Sequence, residues 1–471
     1  MDDTENTNVG ASTFKQWLDY EDHSKGTFSQ RYWYNAEFYK QGGPIFLFSP
    51  GEQTASNLLG YLENTTLPGR YAQEFNGAVV MLEHRYWGKS IPYDTLTAET
   101  LQYLNLPNAI ADQTNFAESF SETFCGDACS ASQAPWVLVG GSYSGALTAW
   151  TQQKAPGTFA AYHASSAVVE AIYDFYTYYS PIEEGISTAC ANDLKAVVSY
   201  VDGVLDSKNT KDINILKSRF GLQTLGDANF AEVLASPFGS WQEGRDEVDG
   251  LCNLISQAAA NATSYMKNTS GVGLVAAIQA YATWVKKNSG CGDGGKLCDV
   301  TTTKWNTPNT LDDNRPWEWL LCNEPFGWWQ VGPPESDGDH IVSAALQPNY
   351  YQETCPLQFP KTNGFQTGSA DGFTEDHLNL YTGGWDASFE KVLFVQGQYD
   401  PWRSATIGSD FRPGGPVASS DAIPNLVVEG GLHCADLVLD PPTAEQQPVL
   451  DESIKIMGAW LKEWTKPSGK A

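Results

Sequence analysis

The sequence predicts an α/β protein in which a mainly helical cap interrupts the central sheet. Short apolar runs alternate with helix-compatible sequence in the first third of the chain, helical periodicity dominates the middle, and strand-like runs return later. Continuous apolar runs are typical of buried parallel strands, and crossover helices separate such strands along a chain. We therefore divide the chain into a first sheet part (residues 1–172), a cap (173–313) and a second sheet part (314–471).

The individual elements follow from these patterns. Apolar runs predict strands at residues 45–48, 79–82, 137–139 and 164–169, with a helix at 109–120 between the second and third. Helical spacing of apolar residues predicts cap helices within 193–204, 229–235 and 272–287. Later strands are expected at 392–395 and 426–428, and a C-terminal helix carries the apolar stripe Ile454, Met457, Leu461 and Trp464.

The charge of the chain excludes some classes of function. With 28 Lys and Arg against 56 Asp and Glu, the net charge of −28 repels nucleic acid and anionic membranes. Solubility is the simplest reason for this acidity. An acidic working pH is a further hypothesis, because carboxylates that are neutralised together in acid repel one another less.

The start of the chain and its hydropathy bear on location. No run of about 20 apolar residues occurs, so no membrane span is expected. Met1 is followed by Asp2, Asp3 and Glu5 rather than by a basic and then apolar signal, and we expect that any export signal has been removed. Nine cysteines and three N-x-Ser/Thr sequons, at Asn64, Asn261 and Asn268, favour a secreted glycoprotein, with a lysosome or vacuole as the alternative.

The cysteines are expected to form disulfides rather than a metal site. C-x-x-C pairs with nearby histidines are missing, so we expect neither a metal nor a cofactor. The expected disulfide cysteines are Cys125, Cys129, Cys190, Cys252, Cys291, Cys298, Cys322 and Cys355. The pairs 125/129 and 291/298 are close enough for local loops, but the sequence leaves the connectivity open. Cys434 is the candidate for the unpaired thiol.

Residues 136–150 are typical of a nucleophile elbow. An apolar strand, a turn of small residues and a helix-compatible stretch follow one another, and Gly140-x-Ser142-x-Ser144 matches G-x-S-x-G except at its last position. Ser144 is small, and Gly145 follows it. The pattern predicts an α/β-hydrolase fold with an inserted helical cap and makes Ser142 the candidate nucleophile.

An acid and a histidine follow the two later strands, in the order that this fold requires. Asp400 comes after the run at 392–395 and His433 after the run at 426–428. His84 lies beside Glu83 and Arg85 and is expected in a structural ion network. The polar, loop-like surroundings of His23, His340 and His377 do not indicate catalysis.

These parts predict covalent catalysis by a serine. His433 would take the proton of Ser142, and Asp400 would hold the imidazole. The backbone N–H of Tyr143 is one candidate oxyanion donor, and the loop after the first predicted strand supplies Gly51 and Glu52 as others. The alternative interpretation of Glu52 is a solvent-exposed acid of the loop.

Five segments together resemble a known family: residues 28–33, 83–90, 140–143, 400–402 and 431–436. The family comprises proline-specific serine peptidases, including lysosomal Pro-X carboxypeptidase, dipeptidyl peptidase II and the fungal acid prolyl endopeptidases. The resemblance implies the triad of Ser142, Asp400 and His433, the helical cap, a proline pocket near Trp402 and a disulfide between Cys322 and Cys355. Lysosomal members tend to carry glycine at the position of Ser144, and the Gly-Gly-Ser-Tyr-Ser-Gly segment of this chain is most similar to the fungal branch.

A proline pocket has a physical rationale. Proline lacks an N–H and has a fixed φ, so strand-like pairing is impaired there and flat aromatic walls must supply the binding. Candidate walls are Trp402, Phe326, Trp328 and Trp329, and core packing is the alternative for the last three.

The predicted function is a secreted endopeptidase that cleaves after proline in peptides or proteins. An exopeptidase of the same family is the first alternative, since Glu52 would suit a terminal amine. A lipase or esterase on the same fold and a catalytically dead binding module are the others, because a fold alone does not choose a substrate.

Overall fold

A computed structural model describes residues 8–258, 270–309, 311–335 and 338–466. Its centre is an eight-stranded sheet. The sheet strands are β1 (Val9–Trp17), β2 (Thr27–Asn35), β3 (Ile45–Ser49), β4 (Ala78–Leu82), β5 (Trp136–Gly141), β6 (Ala161–Ser165), β9 (Val392–Gly397) and β10 (Asn425–Val428). A separate pair joins β7 (Ile172–Asp174) to β8 (Gly327–Trp329).

The strand order identifies the fold. The strands lie side by side as β1-β2-β4-β3-β5-β6-β9-β10. β2 is antiparallel to both of its neighbours, and the strands from β4 to β10 run parallel. This mixed order, with β5 running through a sharp turn into a helix, is that of an α/β-hydrolase, and it confirms the predicted fold class.

Helices cover both faces of the sheet and fill the middle of the chain. They are α1 (Leu67–Phe75), α2 (Ala98–Leu101), α3 (Leu106–Ser119), α4 (Tyr143–Lys154), α5 (Ser180–Gly185), α6 (Thr188–Asp206), α7 (Thr210–Phe220), α8 (Asp227–Gly239), α9 (Asp246–Gln257), α10 (Leu274–Asn288), α11 (Asn314–Asn323), α12 (Asn349–Gln352), α13 (Cys355–Gln358), α14 (Glu375–Thr382) and α15 (Gln446–Glu463). No helix in the described ranges is long and apolar enough to cross a membrane.

Alternate residues of the buried strands feed two separate cores. In β3, Ile45 and Leu47 pack in the core that contains Phe116 of α3. The intervening Phe46 packs with Tyr71 of α1 and with the C-terminal helix α15. Successive strand side chains point to opposite faces, so a fully apolar strand serves both layers of helices.

The helices from α5 to α10 lie within the predicted cap region, residues 173–313. α6 packs against α7, α9 and α10, and its apolar side faces a core shared with the loops above the sheet. The disulfide between Cys190 and Cys252 ties α6 to α9. The division of the chain into domains at residues 172 and 313 stays a prediction.

One strand prediction needs correction, and one pair of strands was missed. The predicted strand at 164–169 is wrong at both ends, because β6 starts at Ala161 and ends at Ser165. Ser166 has a left-handed φ of 45°, which ends the strand although the apolar run continues. The antiparallel hairpin of β1 and β2 was not predicted, because β1 is mostly exposed, β2 alternates buried with more exposed residues, and neither strand has a continuous apolar run.

The described cysteines form four disulfides, and Cys434 is free. They join Cys125 to Cys129, Cys190 to Cys252, Cys291 to Cys298 and Cys322 to Cys355. No group of three or more potential metal ligands occurs within the described ranges. Asn64 is partly exposed, whereas Asn261 and Asn268 lie outside the described residues.

Candidate active site

Ser142 lies at a strained turn between β5 and α4. Its φ of 60° and ψ of −128° are unfavourable for a residue with a side chain. The turn is possible only with small neighbours: a Cβ on Gly140 would lie 2.2 Å from the carbonyl O of Ser144, and one on Gly145 would lie 2.5 Å from that of Ser165. This geometry is that of a nucleophile elbow.

The two serines of the elbow have different environments. Ser144 is 2% exposed. Its Oγ lies 2.9 Å from the carbonyl O of Ser49 and 2.8 Å from that of Gly141. Ser142 is less buried and lines a cavity at the carboxyl ends of the strands. Ser142 is therefore the more exposed of the two serines at the cavity.

Asp400 and His433 form a pair beside the same cavity. They follow the adjacent parallel strands β9 and β10, and His433 Nδ1 lies 2.9 Å from Asp400 Oδ1. Asp400 is fully buried, and Oδ1 also accepts the backbone N–H of Trp402 at 2.9 Å. Its Oδ2 has no hydrogen-bond partner among the described residues. The His433 side chain is 13% exposed and lines the cavity together with Ser142.

The electrostatics of this pair favour a charged imidazole. Burial by itself would lower the pKa of His433, but the Asp400 carboxylate, with a smaller contribution from Cys434, raises that pKa well above its ordinary value. No hydrogen bond joins Ser142 to His433 in the described part of the chain. Such bonds are often long or poorly aligned until substrate binds.

The loop 49–52 lies opposite the elbow. Gly51 has a φ of 72°, and a Cβ on it would lie 3.3 Å from Ser144 Oγ. Glu52 lines the cavity, and burial raises the pKa of its carboxyl group, while hydrogen bonding to its own backbone N–H and the charge of His433 lower it. Across the elbow, the backbone N–H of Tyr143 is the first of α4, and first-turn N–H groups have no acceptor within a helix.

Aromatic side chains form much of the cavity wall. The cavity has a volume of about 600 Å³, and its aromatic lining consists of Phe48, Tyr61, Tyr143, Trp317, Trp328, Trp329, Tyr351 and Trp402. The ring of Trp402 is centred 6.1 Å from that of His433 and 6.1 Å from that of Trp328. Trp402 and Trp328 meet edge to face, so they make a flat-walled corner next to the histidine.

One predicted wall residue lies behind the wall. Phe326 is fully buried and is not among the cavity-lining residues, so its prediction as a substrate-binding residue needs correction. Its ring stacks on Trp328 at 4.4 Å and meets Tyr143 edge to face. Phe326 therefore supports the wall from the core. Trp329 does line the cavity and stacks on Tyr351.

The cap region contacts the loop that carries the acid. Trp402 Nε1 donates to Gln242 Oε1 at 2.6 Å, and Trp241 Nε1 donates to the carbonyl O of Tyr399 at 2.9 Å. Gln242 and Glu243 also line the cavity. Residues that follow α8 thus complete the site above the sheet.

A second histidine–carboxylate pair escaped the sequence analysis. His163 Nε2 lies 2.7 Å from Asp436 Oδ2, and the other oxygen of Asp436 accepts the hydroxyl of Ser165. His163 and Ser165 occupy alternate positions of β6 and so point to one face. Two polar residues two positions apart in a buried strand indicate that a polar partner lies against that face of the strand.

His84 has a structural role that differs from the expected one. Its Nδ1 contacts the carbonyl O of Arg85 and its Nε2 contacts the hydroxyl of Tyr143 at 3.1 Å. Burial lowers the pKa of His84 to about 4, so it is neutral and outside the ion pairs. Its neighbours form those pairs, Glu83 with Arg31 and Arg85 with Asp112.

The sheet order and the strained serine define a hydrolase of the α/β-hydrolase fold. A family model described as "Serine carboxypeptidase S28" matches residues 16–452, and the chain belongs to this family. It is therefore a serine peptidase, as predicted.

Relatives span nearly the whole chain. "Serine protease vicPb" of Bipolaris victoriae (strain FI3) is 35% identical, with 98% of this chain and 90% of the relative covered. "Probable extracellular serine carboxypeptidase" of Arthroderma benhamiae is 27% identical over 95% of this chain and 66% of its own length. Among solved structures, "Crystal structure of Proline iminopeptidase Mycobacterium smegmatis" matches with a TM-score of 0.37 and 11% identity, covering 96% of this chain and 99% of that one.

Proposed function

We propose that this serine peptidase hydrolyses peptide bonds on the carboxyl side of proline, with Ser142 as nucleophile, His433 as general base and Asp400 as the residue that orients the histidine. The observation that carries the proposal is the buried Asp400–His433 pair, joined at 2.9 Å beside the cavity that Ser142 lines. The nucleophile then follows β5, the orienting acid follows β9 and the base follows β10, all at the carboxyl ends of the parallel strands.

The reaction follows from these positions. Ser142 Oγ attacks the scissile carbonyl while its proton passes to His433 Nε2, and charge develops on the carbonyl oxygen. The backbone N–H of Tyr143 and an N–H of the loop 49–52, from Gly51 or Glu52, stabilise that charge. His433 then gives its proton to the leaving amine, which departs and leaves an acyl-enzyme. Water attacks the acyl-enzyme with His433 again as base, and the peptide acid is released.

Asp400 acts through the histidine. Its bond to Nδ1 selects the tautomer in which Nε2 is free to accept the serine proton, and its charge stabilises the imidazolium that forms. Complete burial of Asp400 strengthens this interaction, because water does not screen it.

The aromatic corner supports the preference for proline. Trp402 and Trp328 present a face and an edge next to His433, where the residue before the scissile bond would lie. The pyrrolidine ring of proline is compact and apolar, and its nitrogen has no N–H to satisfy, so it fits such a corner without leaving a buried donor unpaired.

The charge of the cavity supports internal cleavage over removal of C-terminal residues. Glu52, Glu243 and Glu318 all line it. Carboxylates repel a terminal carboxylate and attract an amine, so dipeptide release from the N-terminus, with Glu52 as the amine ligand, is the alternative exopeptidase mode. Burial raises the pKa of both Glu52 and Glu318, so we expect the repulsion to grow as the pH rises.

The experiment compares three versions of one peptide with a single internal proline: both termini blocked, only the N-terminus free, and only the C-terminus free. Mass spectrometry identifies the products of the parent and of Ser142→Ala. We expect the parent alone to cut the doubly blocked peptide after proline. Trimming that requires a free terminus would instead establish an exopeptidase and identify the end it reads.

Two controls test the proline preference and the reaction class. The same blocked peptide with alanine in place of proline should be cut far more slowly. Cleavage of acyl esters without any cleavage of proline peptides would contradict the proposal and favour an esterase.

We also propose that the protein is secreted. The relative named extracellular and the four disulfides support this, because disulfides persist in oxidising compartments. Expression with a secretory leader in a eukaryotic host should give a glycosylated product in the medium. An unchanged mass after treatment with an N-glycosidase would contradict use of the sequons.

A further inference from the structure

The geometry points to Ser144 as a positioning residue that holds the loop 49–52 in place for stabilisation of the oxyanion. This inference rests on the proposed function, since it assumes that the loop supplies an oxyanion donor. Ser144 is the position at which the elbow departs from the common glycine, and the structure provides a physical reason for a hydroxyl there.

The Ser144 hydroxyl is shared between two elements. Its Oγ lies 2.9 Å from the carbonyl O of Ser49, the last residue of β3, and 2.8 Å from the carbonyl O of Gly141, the last residue of β5. It also accepts the backbone N–H of Gly141 at 3.2 Å. A hydroxyl has a single proton, which the two carbonyl oxygens share, and one of its two lone pairs accepts the Gly141 N–H. Ser144 therefore joins the elbow to the start of the opposite loop.

The loop depends on this contact for its direction. The peptide after Ser49 leads into Pro50, which has no N–H, and then into Gly51, whose left-handed φ of 72° turns the chain. A Cβ on Gly51 would lie only 3.3 Å from Ser144 Oγ, so the turn rests against the serine. The hydroxyl thus orients the Ser49 carbonyl and supports the turn that aims the next N–H groups.

The effect should appear in the transition state. Oxyanion donors stabilise charge that develops only during the reaction, and they do so because the protein holds them in place beforehand. Without the hydroxyl, the buried carbonyl of Ser49 loses a donor and the loop can turn away to find another. Ser144 does not touch the reacting atoms itself, because its hydroxyl is occupied by backbone groups.

The test replaces the hydroxyl and measures two reactions. Ser144→Ala keeps the Cβ and removes the hydroxyl. We expect this variant to lower both kcat for a proline peptide and the rate constant for phosphonylation of Ser142 by a serine-reactive phosphonate. The expected loss is roughly 10- to 100-fold, less than the loss of a donor itself. KM should stay close to that of the parent, since ground-state contacts remain.

Two further variants at position 144 test how strongly the rates depend on the hydroxyl. Ser144→Gly should be no faster than Ser144→Ala, because the missing group is the hydroxyl. Ser144→Cys keeps a weak donor of similar size, so its rates should fall between those of the parent and the alanine variant. It also provides a folded variant if the alanine variant does not fold.

The matched control is Thr151→Val in the same helix. Thr151 is buried, and its hydroxyl donates to the carbonyl O of Leu147 at 2.7 Å, away from the loop 49–52. The Thr151→Val variant should have the same two rates as the parent. Parental rates in Ser144→Ala, equal losses in Thr151→Val, or a rise in KM without a fall in kcat would overturn the inference. A parent that the phosphonate does not label at all would overturn the proposed nucleophile instead.

Discussion

Two histidine–carboxylate pairs involve the loop that follows β10, and they differ in which polar atoms they leave without a partner. In one, His433 Nδ1 lies 2.9 Å from Asp400 Oδ1. In the other, His163 Nε2 lies 2.7 Å from Asp436 Oδ2. The partners are 33 residues apart in the first pair and 273 residues apart in the second. Contact between the two groups therefore does not distinguish a reactive pair from a structural one.

The difference lies in the remaining atoms. His163 uses its second nitrogen on the hydroxyl of Tyr71 at 2.9 Å, and the second oxygen of Asp436 accepts from Ser165. Asp400 leaves Oδ2 without a partner among the described residues, and its bond to Nδ1 leaves Nε2 of His433 for the cavity. A fully satisfied network holds structure, whereas a pair with a nitrogen to spare beside a cavity can move a proton.

The two pairs are also connected. Asp436 stands three residues after His433 in the loop that follows β10. The backbone N–H of Cys434 donates to Ser166 Oγ at 2.9 Å, so the loop is attached to the end of β6 at two points. The satisfied pair therefore anchors the loop that carries His433.

The largest expected contrast comes from replacing each histidine. His433→Ala should lower kcat/KM by roughly 10⁴- to 10⁶-fold, because it removes the proposed base, while the protein still folds. His163→Gln should lower the free energy of unfolding by roughly 2–4 kcal/mol, because it breaks a buried network. Peptide assays and thermal unfolding measure both. Reversed effects would show that the two pairs have exchanged roles.

Replacing each carboxylate sharpens the same contrast. Asp400→Asn should lower kcat by about 10⁴-fold, because the wrong tautomer is then favoured. Asp436→Asn should mainly lower stability, by roughly 2–3 kcal/mol, since both of its oxygens accept hydrogen bonds in the interior. Activity of its folded fraction should fall less than tenfold. An Asp400→Asn variant as active as the parent would contradict the assignment of the acid.

The pH dependence gives a smaller effect. The pKa of His433 is raised above its unfolded value near 6.5, so the pair contributes stability that is fully present below that value. The contribution is lost as the pH rises through the folded pKa. Asp400→Asn should therefore destabilise the protein more at about pH 5 than at about pH 9. Denaturant unfolding at the two pH values measures this, and equal losses would contradict a raised pKa.

Activity should have the opposite dependence on pH. The neutral imidazole is the proposed base, so kcat/KM should rise with pH through the pKa of His433. Parental activity that is already maximal well below pH 6.5 would show that this pKa is not raised in the working enzyme.

The smallest effect is expected where the cap region contacts Trp402, whose ring lies beside that of His433. Gln242→Ala removes the acceptor of Trp402 Nε1, a bond of 2.6 Å, and should raise KM for proline peptides roughly two- to tenfold with little change in kcat. Gln257, an exposed glutamine in α9, provides the matched control. A fall in kcat at constant KM would instead indicate that Gln242 acts on the triad.

The sequence by itself determined the fold class and the strands that carry the candidate triad. Buried parallel strands are apolar throughout, so β3, β5 and β9 are visible as local patterns. Ser142 and Asp400 closely follow β5 and β9, whereas His433 follows the short and partly exposed β10. The carboxyl ends of parallel strands lie together. A site built in this way can be predicted because each of its parts is next to a local signal.

Only the tertiary structure decided which groups satisfy one another. His163 and Asp436 are 273 residues apart, and the Ser144 hydroxyl reaches a carbonyl 95 residues away. Similarly, Trp328 lines the cavity while Phe326 stacks behind it, although both are aromatic residues of one short segment. Periodicity reports how apolar a position is, but a hydrogen bond or a wall position depends on distances across the fold, and these exist only once the chain has packed.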